Sequence, residues 1–341
     1  MKIDVPLADD MASLPTVVRR AEEDGFDTLW IGETKNDVLM QCLRASLLSE
    51  RISIGSGIAV AFARSPMTVA YQANDLATAS RGRFVLGLGT QVRPHIERRF
   101  AMEWSHPAAR MREYVRALRT IWRSWATGER LTFEGRFYRH TLMNEFFSPG
   151  PNEFGNPKIF MAAVGPEMTS VAGEVGDGLI AHAFSTPGYI AAHTLTNLER
   201  GIAKAGRTRS DVELSATATV VTGSGERQIE SGRREARERI AFYGSTPAYH
   251  PVLEHHGWHH LGAELTELSK SGRADRWDLM TNLVDDEVLD GFAVVGTPEQ
   301  VAAEVAVRFG PIADRVTLYS PQSGVRRELG EIAHHLAAGA S

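Results

Sequence analysis

Short runs of apolar, largely β-branched residues alternate along this chain with longer segments whose apolar residues recur at helical spacing. The run 2–7 is followed by the segment 14–24, in which Val17 and Ala21 share one helical face. The run 52–60 is apolar almost throughout, which is typical of a parallel strand buried on both faces. The pattern therefore predicts a parallel sheet covered by helices.

Eight strand–helix units follow one another in this pattern. The predicted strands are 2–7, 27–31, 52–60, 84–88, 158–163, 178–181, 212–221 and 315–319. Two segments interrupt the alternation: 127–157, with a predicted hairpin at 131–138, and 244–290, with short helical pieces. Because no composition break marks a linker, we predict one (β/α)8 TIM-barrel domain over 1–341, with insertions after the fourth and seventh units.

Composition and charge exclude several classes of protein. Hydrophobic residues make up 43% and charged residues 23% of the 341 positions, which are globular values. The net charge of -5 argues against nucleic acid as a partner. The single cysteine, Cys42, cannot form an internal disulfide, and we find neither a signal peptide nor an apolar run that could span a membrane. We therefore expect a cytoplasmic protein that does not bind membranes.

Candidate chemistry in such a barrel lies on the loops that follow the strands. Glu33 follows the second strand, where a carboxylate could act on a ligand or favour the start of the next helix. His95 follows the fourth strand and His182 the sixth, although a lone histidine is more often structural. The segment 164–169 opens a helix whose free N–H groups suit a phosphate, as any helix N-terminus does.

Poor strand formers interrupt the third strand. Gly55, Ser56 and Gly57 stand in its middle, where they indicate a bulge or the close approach of a ligand to the backbone. Simple packing inside the barrel is the alternative interpretation.

Two other patterns do not predict a site. His255 and His259, like His256 and His260, have the i,i+4 spacing of helical metal ligands, but a glycine interrupts the run and no third ligand is evident. We therefore predict no metal. The sequence GLGTQ after the fourth strand lacks the third glycine of a dinucleotide fingerprint, which disfavours a Rossmann dehydrogenase.

Five motifs together resemble the bacterial-luciferase-like superfamily, particularly its branch that uses the deazaflavin coenzyme F420. They are, in chain order, IGSGIAVAFARSPMTVA, SRGRFVLGLGTQVRPHIERRF, FEGRFY, VGPEMTSVAGEVGDGLI and FAVVGTPEQVAAEV. The resemblance covers nearly the whole chain. It implies a TIM barrel that holds the ring of the cofactor at its C-terminal mouth.

The resemblance also implies where the cofactor binds. A non-prolyl cis peptide is expected at Gly57-Ile58, against the ring, and Glu33 matches an acidic residue that contacts the ring. The backbone near Val164 and Gly165 would hold the phosphate arm. The full set of implied cofactor-binding residues is Glu33, Gly57, Ile58, Ala59, Gln91, His95, Val164, Gly165, Met168 and Thr169.

One departure from the family pattern affects the reaction. Relatives that oxidise alcohols commonly carry a histidine after the acid, where this chain has Thr34, and the carboxylate that some carry after the fourth strand is missing. Oxidation of an alcohol needs a base at the hydroxyl, so the resemblance favours a reductase unless His95 or His182 substitutes. The candidate catalytic residues are therefore Glu33, His95 and His182.

Alternatives to the F420 enzyme remain open. The chain could be an FMN-dependent monooxygenase served by a separate flavin reductase, or a cofactor-free barrel subunit. Family resemblance implies a homodimer. Aromatic residues in the two insertions, such as Phe137 and Tyr249, predict a fairly large apolar organic substrate, unless they only pack against the barrel rim.

Overall fold

A closed barrel of parallel strands forms the centre of the molecule. The computed structural model describes residues 1–7 and 11–339. The eight barrel strands are Lys2–Leu7, Thr28–Ile31, Ser53–Ser56, Phe84–Gly89, Lys158–Ala163, Gly178–Ala181, Glu213–Val221 and Arg315–Tyr319. Each pairs in parallel with its neighbours, and the seventh strand pairs with both the sixth and the eighth, which closes the barrel. The predicted (β/α)8 fold is confirmed.

Helices cover the outside of the barrel. The main ones are Leu14–Glu23, Val38–Leu48, Pro66–Ala79, Pro107–Thr127, Pro166–Val175, Leu195–Lys204, Glu226–Gly244, Pro298–Phe309 and Arg326–Gly339. Several begin with proline at the first helical position, where its missing N–H costs no hydrogen bond. Among the described helices, none is long and apolar enough to cross a membrane.

The two insertions follow the fourth and seventh strand–helix units, as predicted. The first carries a short hairpin, Phe133–Glu134 with Arg139–His140, slightly later than the predicted 131–138. Four helices make up the second: His250–His255, His259–Lys270, Arg276–Asn282 and Asp286–Phe292. A short strand, Ala293–Val295, then pairs with the end of the seventh barrel strand, and the sequence analysis missed it because three residues give no periodicity.

A buried ion pair fills the N-terminal end of the barrel. Arg315 donates to Asp4 through two nitrogens, at 2.7 and 2.9 Å, and to Glu213 at 3.0 Å. Its guanidinium also lies over the rings of Trp30 and Phe160. The side chain of Asp4 is fully buried, so the pair needs all of these contacts to offset the loss of hydration. This end of the barrel is therefore packed and closed.

Candidate active site

The C-terminal mouth of the barrel is lined differently on its two sides. Trp30, Val85, Phe160 and Ile180 form one interior layer. Because alternate strand residues face the same side, the residues two positions later face the axis one layer higher. They are Gly32, Gly87, Ala162 and His182. One side of the mouth is thus a shelf of small residues, and the other carries polar and aromatic side chains.

A bulge in the third strand forms the edge of this shelf. The strand stops at Ser56 and resumes at Ala59–Val60, and the peptide bond Gly57-Ile58 between them is cis, as the family resemblance implies. Where the backbone hydrogen bonds to the fourth strand are interrupted, the hydroxyl of Ser56 takes their place. It accepts from the N–H of Gly87 at 2.9 Å and donates to the C=O of Gly87 at 2.8 Å. The bulge is therefore a bonded part of the sheet.

Ile58 reaches from the bulge across to the fourth strand. A Cβ atom on Gly89 would lie 2.6 Å from Cδ1 of Ile58, closer than real Cβ contacts allow. The side chain of Ile58 thus fills the space beside Gly89, and a larger residue at position 89 would force it to shift. Ala59 is buried and pairs with Leu88, so its backbone belongs to the barrel wall.

Glu33 lies behind the bulge and bonds to it. Its carboxylate accepts from the N–H of Val60 at 2.7 Å and from two nitrogens of Arg64, at 2.8 and 2.6 Å. Arg64 also donates to Asp37 at 2.6 Å. Burial opposes the charge of Arg64, but the two carboxylates outweigh it and raise the pKa of the guanidinium. Burial likewise raises the pKa of Asp37, but Arg64 and backbone N–H groups outweigh it and lower that pKa.

This ion pair limits what Glu33 can do chemically. The Glu33 side chain is 6% exposed, and each of its oxygens already accepts a hydrogen bond. A cavity of about 380 Å³ opens beside it, between the loop that follows the second strand and the side chains of Arg64, Arg99 and Phe100. Contact of Glu33 with the cofactor ring and proton transfer by its carboxylate both stay predictions. Its hydrogen bonds to Val60 and Arg64 hold the bulge in place.

His182 lies on the polar side of the mouth within a cluster of aromatic rings. Its Nδ1 accepts the backbone N–H of Phe184 at 3.0 Å, and its Nε2 lies 3.1 Å from the hydroxyl of Tyr249. The Tyr249 ring stacks on the imidazole with centroids 4.5 Å apart, and Tyr243 meets it edge-on. Burial lowers the pKa of His182 to about 4, so the imidazole is neutral near pH 7.

The predicted phosphate-binding segment opens a helix at the rim. Gly165 precedes Pro166–Val175, and a Cβ there would meet nothing within 4 Å, so the approach is open. Thr169 is buried, and both its N–H and its hydroxyl bond to the C=O of Gly165. Val164 is exposed and Met168 half-buried. The free N–H groups of the first turn therefore face outward beside the shelf.

The loop after the fourth strand holds the remaining predicted residues. Gln91 has a positive φ of 62°, and its side-chain oxygen accepts from the N–H of Val92. His95 is exposed at the start of a short π-helical turn, His95–Arg99. Their assignments as cofactor or catalytic residues stay predictions.

The histidine-rich run does not form one helix face. Gly257, with φ of 80°, separates the helix that ends at His255 from the one that begins at His259. Over residues 1–7 and 11–339, no cluster of three or more histidine, cysteine or acidic side chains could hold a metal.

Comparison with known proteins identifies the family. The model of the luciferase-like monooxygenases matches residues 4–315. The chain belongs to this family. An uncharacterised Mycobacterium tuberculosis protein is 45% identical over 316 residues, which cover 93% of this chain and 92% of the relative. The 5,10-methylenetetrahydromethanopterin reductase of Archaeoglobus fulgidus is 29% identical, and the alignment covers 89% of each chain.

A solved structure agrees with this luciferase-like assignment. The coenzyme F420-dependent tetrahydromethanopterin reductase of Methanopyrus kandleri superposes with a TM-score of 0.81 over 100% of this chain and 99% of its own, at 18% identity. At that identity the likeness shows the fold alone. The resemblance of the sequence motifs to the luciferase-like family is confirmed, and its relatives include the reductase named above and a protein described as a putative coenzyme F420-dependent oxidoreductase.

Two residues of this luciferase-like barrel mouth escaped the sequence analysis. Arg64 lies within a quoted motif but has no pattern of its own, because its partners are 27 and 31 positions away. In the sequence, Tyr249 is only one of several aromatic residues in the insertions. Its contact with His182 spans 67 positions, and no local periodicity could predict it.

Proposed function

We propose that this protein is a coenzyme F420-dependent oxidoreductase that moves a hydride between the deazaflavin and an organic substrate. The observation that carries the proposal is the bulge at Gly57-Ile58, which borders a shelf of small residues in a chain of the luciferase-like family. Its relatives named above include an enzyme described as F420-dependent.

The residues at the mouth fit such a cofactor. A flat ring needs a surface without large projecting side chains, and Gly32, Gly87 and Ala162 supply one on one side of the mouth. A phosphate arm needs N–H donors, and the open helix start after Gly165 offers those of Glu167 and Met168. When bound, the deazaflavin supplies two-electron hydride chemistry.

The chain itself would orient the substrate and exclude water. The half-buried rings of Tyr243 and Tyr249 lie beside His182 and give the mouth an aromatic wall, behind which the buried Phe184 packs. This wall supports a fairly large organic substrate. A neutral imidazole at His182 adds no charge that would attract water.

The proposed direction is reduction of the substrate. A dehydrogenase needs a base at the alcohol proton, yet Thr34 replaces the family histidine and the Glu33 carboxylate already accepts three hydrogen bonds. His95 lies on the exposed loop. Reduction of an activated C=C or C=N bond by the cofactor demands less of these side chains.

The runner-up is an FMN-dependent monooxygenase with a separate flavin reductase. The family description names monooxygenases, and the shelf would equally accept the flavin ring. FMN also carries a phosphate arm for the same helix start.

We also propose a homodimer, with a second copy covering the helix Val38–Leu48. Met40 and Leu47 lie two turns apart on one face and are 60% and 70% exposed. On the neighbouring insertion, Phe146 is 88% exposed. The hydroxyl of Tyr71 ties this insertion to the next helix by donating to the C=O of Phe147. Apolar side chains on adjacent elements are typical of a protein interface.

Equilibrium binding tests the cofactor. Purified protein is titrated with coenzyme F420 and, separately, with FMN, and fluorescence quenching is recorded. Micromolar or tighter binding of F420, with weaker binding of FMN, is the expected result. Preference for FMN would favour the monooxygenase, and failure of both to bind would favour a cofactor-free barrel.

A further inference from the structure

His182 and Tyr249 form a hydrogen-bonded pair at the mouth, and the pair fixes where one proton points. His182 follows Ile180 by two positions, so its side chain faces the barrel axis above the interior layer. Tyr249 comes from the second insertion, stacks on the imidazole at an interplanar angle of 22° and brings its hydroxyl to 3.1 Å from Nε2.

The tautomer of His182 follows from its two partners. The backbone N–H of Phe184 can only donate, so Nδ1 of His182 accepts and carries no proton. A neutral imidazole with a bare Nδ1 carries its proton on Nε2. Burial keeps the ring neutral, since it lowers the pKa of His182 to about 4. Nε2 therefore donates to the hydroxyl oxygen of Tyr249.

The hydroxyl proton of Tyr249 must then point elsewhere. Burial, with a smaller effect from Tyr243, raises the pKa of Tyr249, so the phenol keeps its proton. Across the described part of the chain, His182 is the one hydrogen-bond partner of this hydroxyl. A half-buried O–H without a protein acceptor is costly unless a ligand or water accepts its proton.

We propose that Tyr249 donates a hydrogen bond from its hydroxyl to an acceptor oxygen of the organic substrate, and that the substrate is a carbonyl compound whose C=O oxygen is this acceptor and activates a neighbouring C=C bond for reduction. His182 is a positioning residue, because its Nε2–H occupies one lone pair of the phenol and turns the proton toward the mouth. The inference rests on the proposed function, since the ligand it contacts is the proposed substrate.

The chemistry of the surroundings selects the class of ligand. The half-buried ring of Tyr243 offers apolar surface beside the phenol, and the buried Phe184 packs against both rings and stacks on Phe292. A planar or cyclic body would pack on these rings while one oxygen meets the hydroxyl. Neutral carbonyl oxygens fit better than a carboxylate, because no cation approaches Tyr249 among the described contacts.

The test compares two probes that differ in one oxygen. Binding of 1-tetralone and of tetralin to the full-length protein is measured by saturation-transfer NMR, with and without F420. We expect the wild type to bind tetralone about tenfold more tightly than tetralin, as for one hydrogen bond to a buried donor, and Tyr249→Phe to abolish that preference. Tyr189→Phe is the matched control, since that phenol lies in the same region without contacting His182.

Variants of His182 test the positioning role. The amide of a His182→Gln variant can still donate an N–H to the phenol, so this variant should retain most of the preference for tetralone. His182→Leu should weaken the preference, because the phenol proton is no longer held in one orientation. In ¹⁵N spectra of the wild type, the imidazole should show a protonated Nε2 and a bare Nδ1.

These measurements test the role of Tyr249 independently of F420 binding. Equal binding of tetralone and tetralin by the wild type, or a preference that survives Tyr249→Phe, would overturn it. A protein that fails to bind F420 but shows the predicted preference would refute the proposed function and leave the role of Tyr249 standing.

Discussion

Replacement of Glu33 by glutamine should destabilise the protein through the bulge that the carboxylate holds. Breaking a buried ion pair commonly costs about 3–5 kcal/mol because one charge is left without its partner. Here Arg64 keeps its bond to Asp37 at 2.6 Å, and the new amide oxygen can still accept one N–H. We therefore expect a loss of about 2 kcal/mol in the free energy of unfolding.

Chemical and thermal denaturation measure this loss. A loss of 2 kcal/mol corresponds to a decrease of roughly 3 °C in Tm for a chain of this size. Glu331→Gln is the matched control, because its ion pair with Arg327 lies on an exposed helix face, and it should change stability by less than about 0.5 kcal/mol. A Glu33→Gln protein as stable as the control would refute the bracing role.

Cofactor affinity separates the two roles open to Glu33. If the carboxylate acts by holding the bulge, Arg64→Met should weaken F420 binding as Glu33→Gln does. If Glu33 instead contacts the ring directly, only Glu33→Gln should weaken binding. Isothermal titration with F420 distinguishes these results.

Three further predictions follow from other parts of the structure. Arg315→Met leaves Asp4 buried without its partner and should cost about 3–5 kcal/mol in urea denaturation, whereas unchanged stability would contradict the described packing of the barrel floor. The pKa of His182 is lower in the folded protein than in the unfolded chain, so the unfolded chain takes up the proton first as the pH falls. Stability should therefore decrease between about pH 6.5 and pH 4, by up to about 3 kcal/mol. In denaturation experiments, the stability of the His182→Gln protein should depend less on pH over this range. The same pH dependence as in the wild type would refute this role of His182. Leu47→Glu should convert the proposed homodimer to a monomer in sedimentation experiments, while a wild-type monomer would refute the interface.

The sequence predicts the barrel well because its signals are local. Each unit couples a short apolar strand to a helix of clear period, and the prolines and glycines at the boundaries act within a few residues. The third strand shows the limit of this reasoning. Its glycines indicate a bulge, but the two hydrogen bonds between Ser56 and Gly87 depend on a strand 31 positions away.

The site is less predictable for the same reason. Glu33 and His182 can be singled out from their places after strands, yet their partners Arg64 and Tyr249 come from distant segments. Those partners determine what the residues can do, since they occupy the carboxylate of Glu33 and fix the tautomer of His182. The cofactor hypothesis comes from the family motifs in the sequence. The limits on the chemistry of Glu33 and His182 can be seen only from contacts in the folded structure.

The affinity of F420 for a Gly89→Ala protein shows whether the cofactor ring lies on the shelf beside the bulge. The added Cβ would lie 2.6 Å from Cδ1 of Ile58, so the isoleucine side chain at the edge of the shelf must shift. Gly225→Ala is the control, because a Cβ there meets nothing within 4 Å and its φ is extended. We predict about a tenfold loss of affinity for Gly89→Ala and none for Gly225→Ala. Equal affinities in a folded Gly89→Ala protein would contradict the claim.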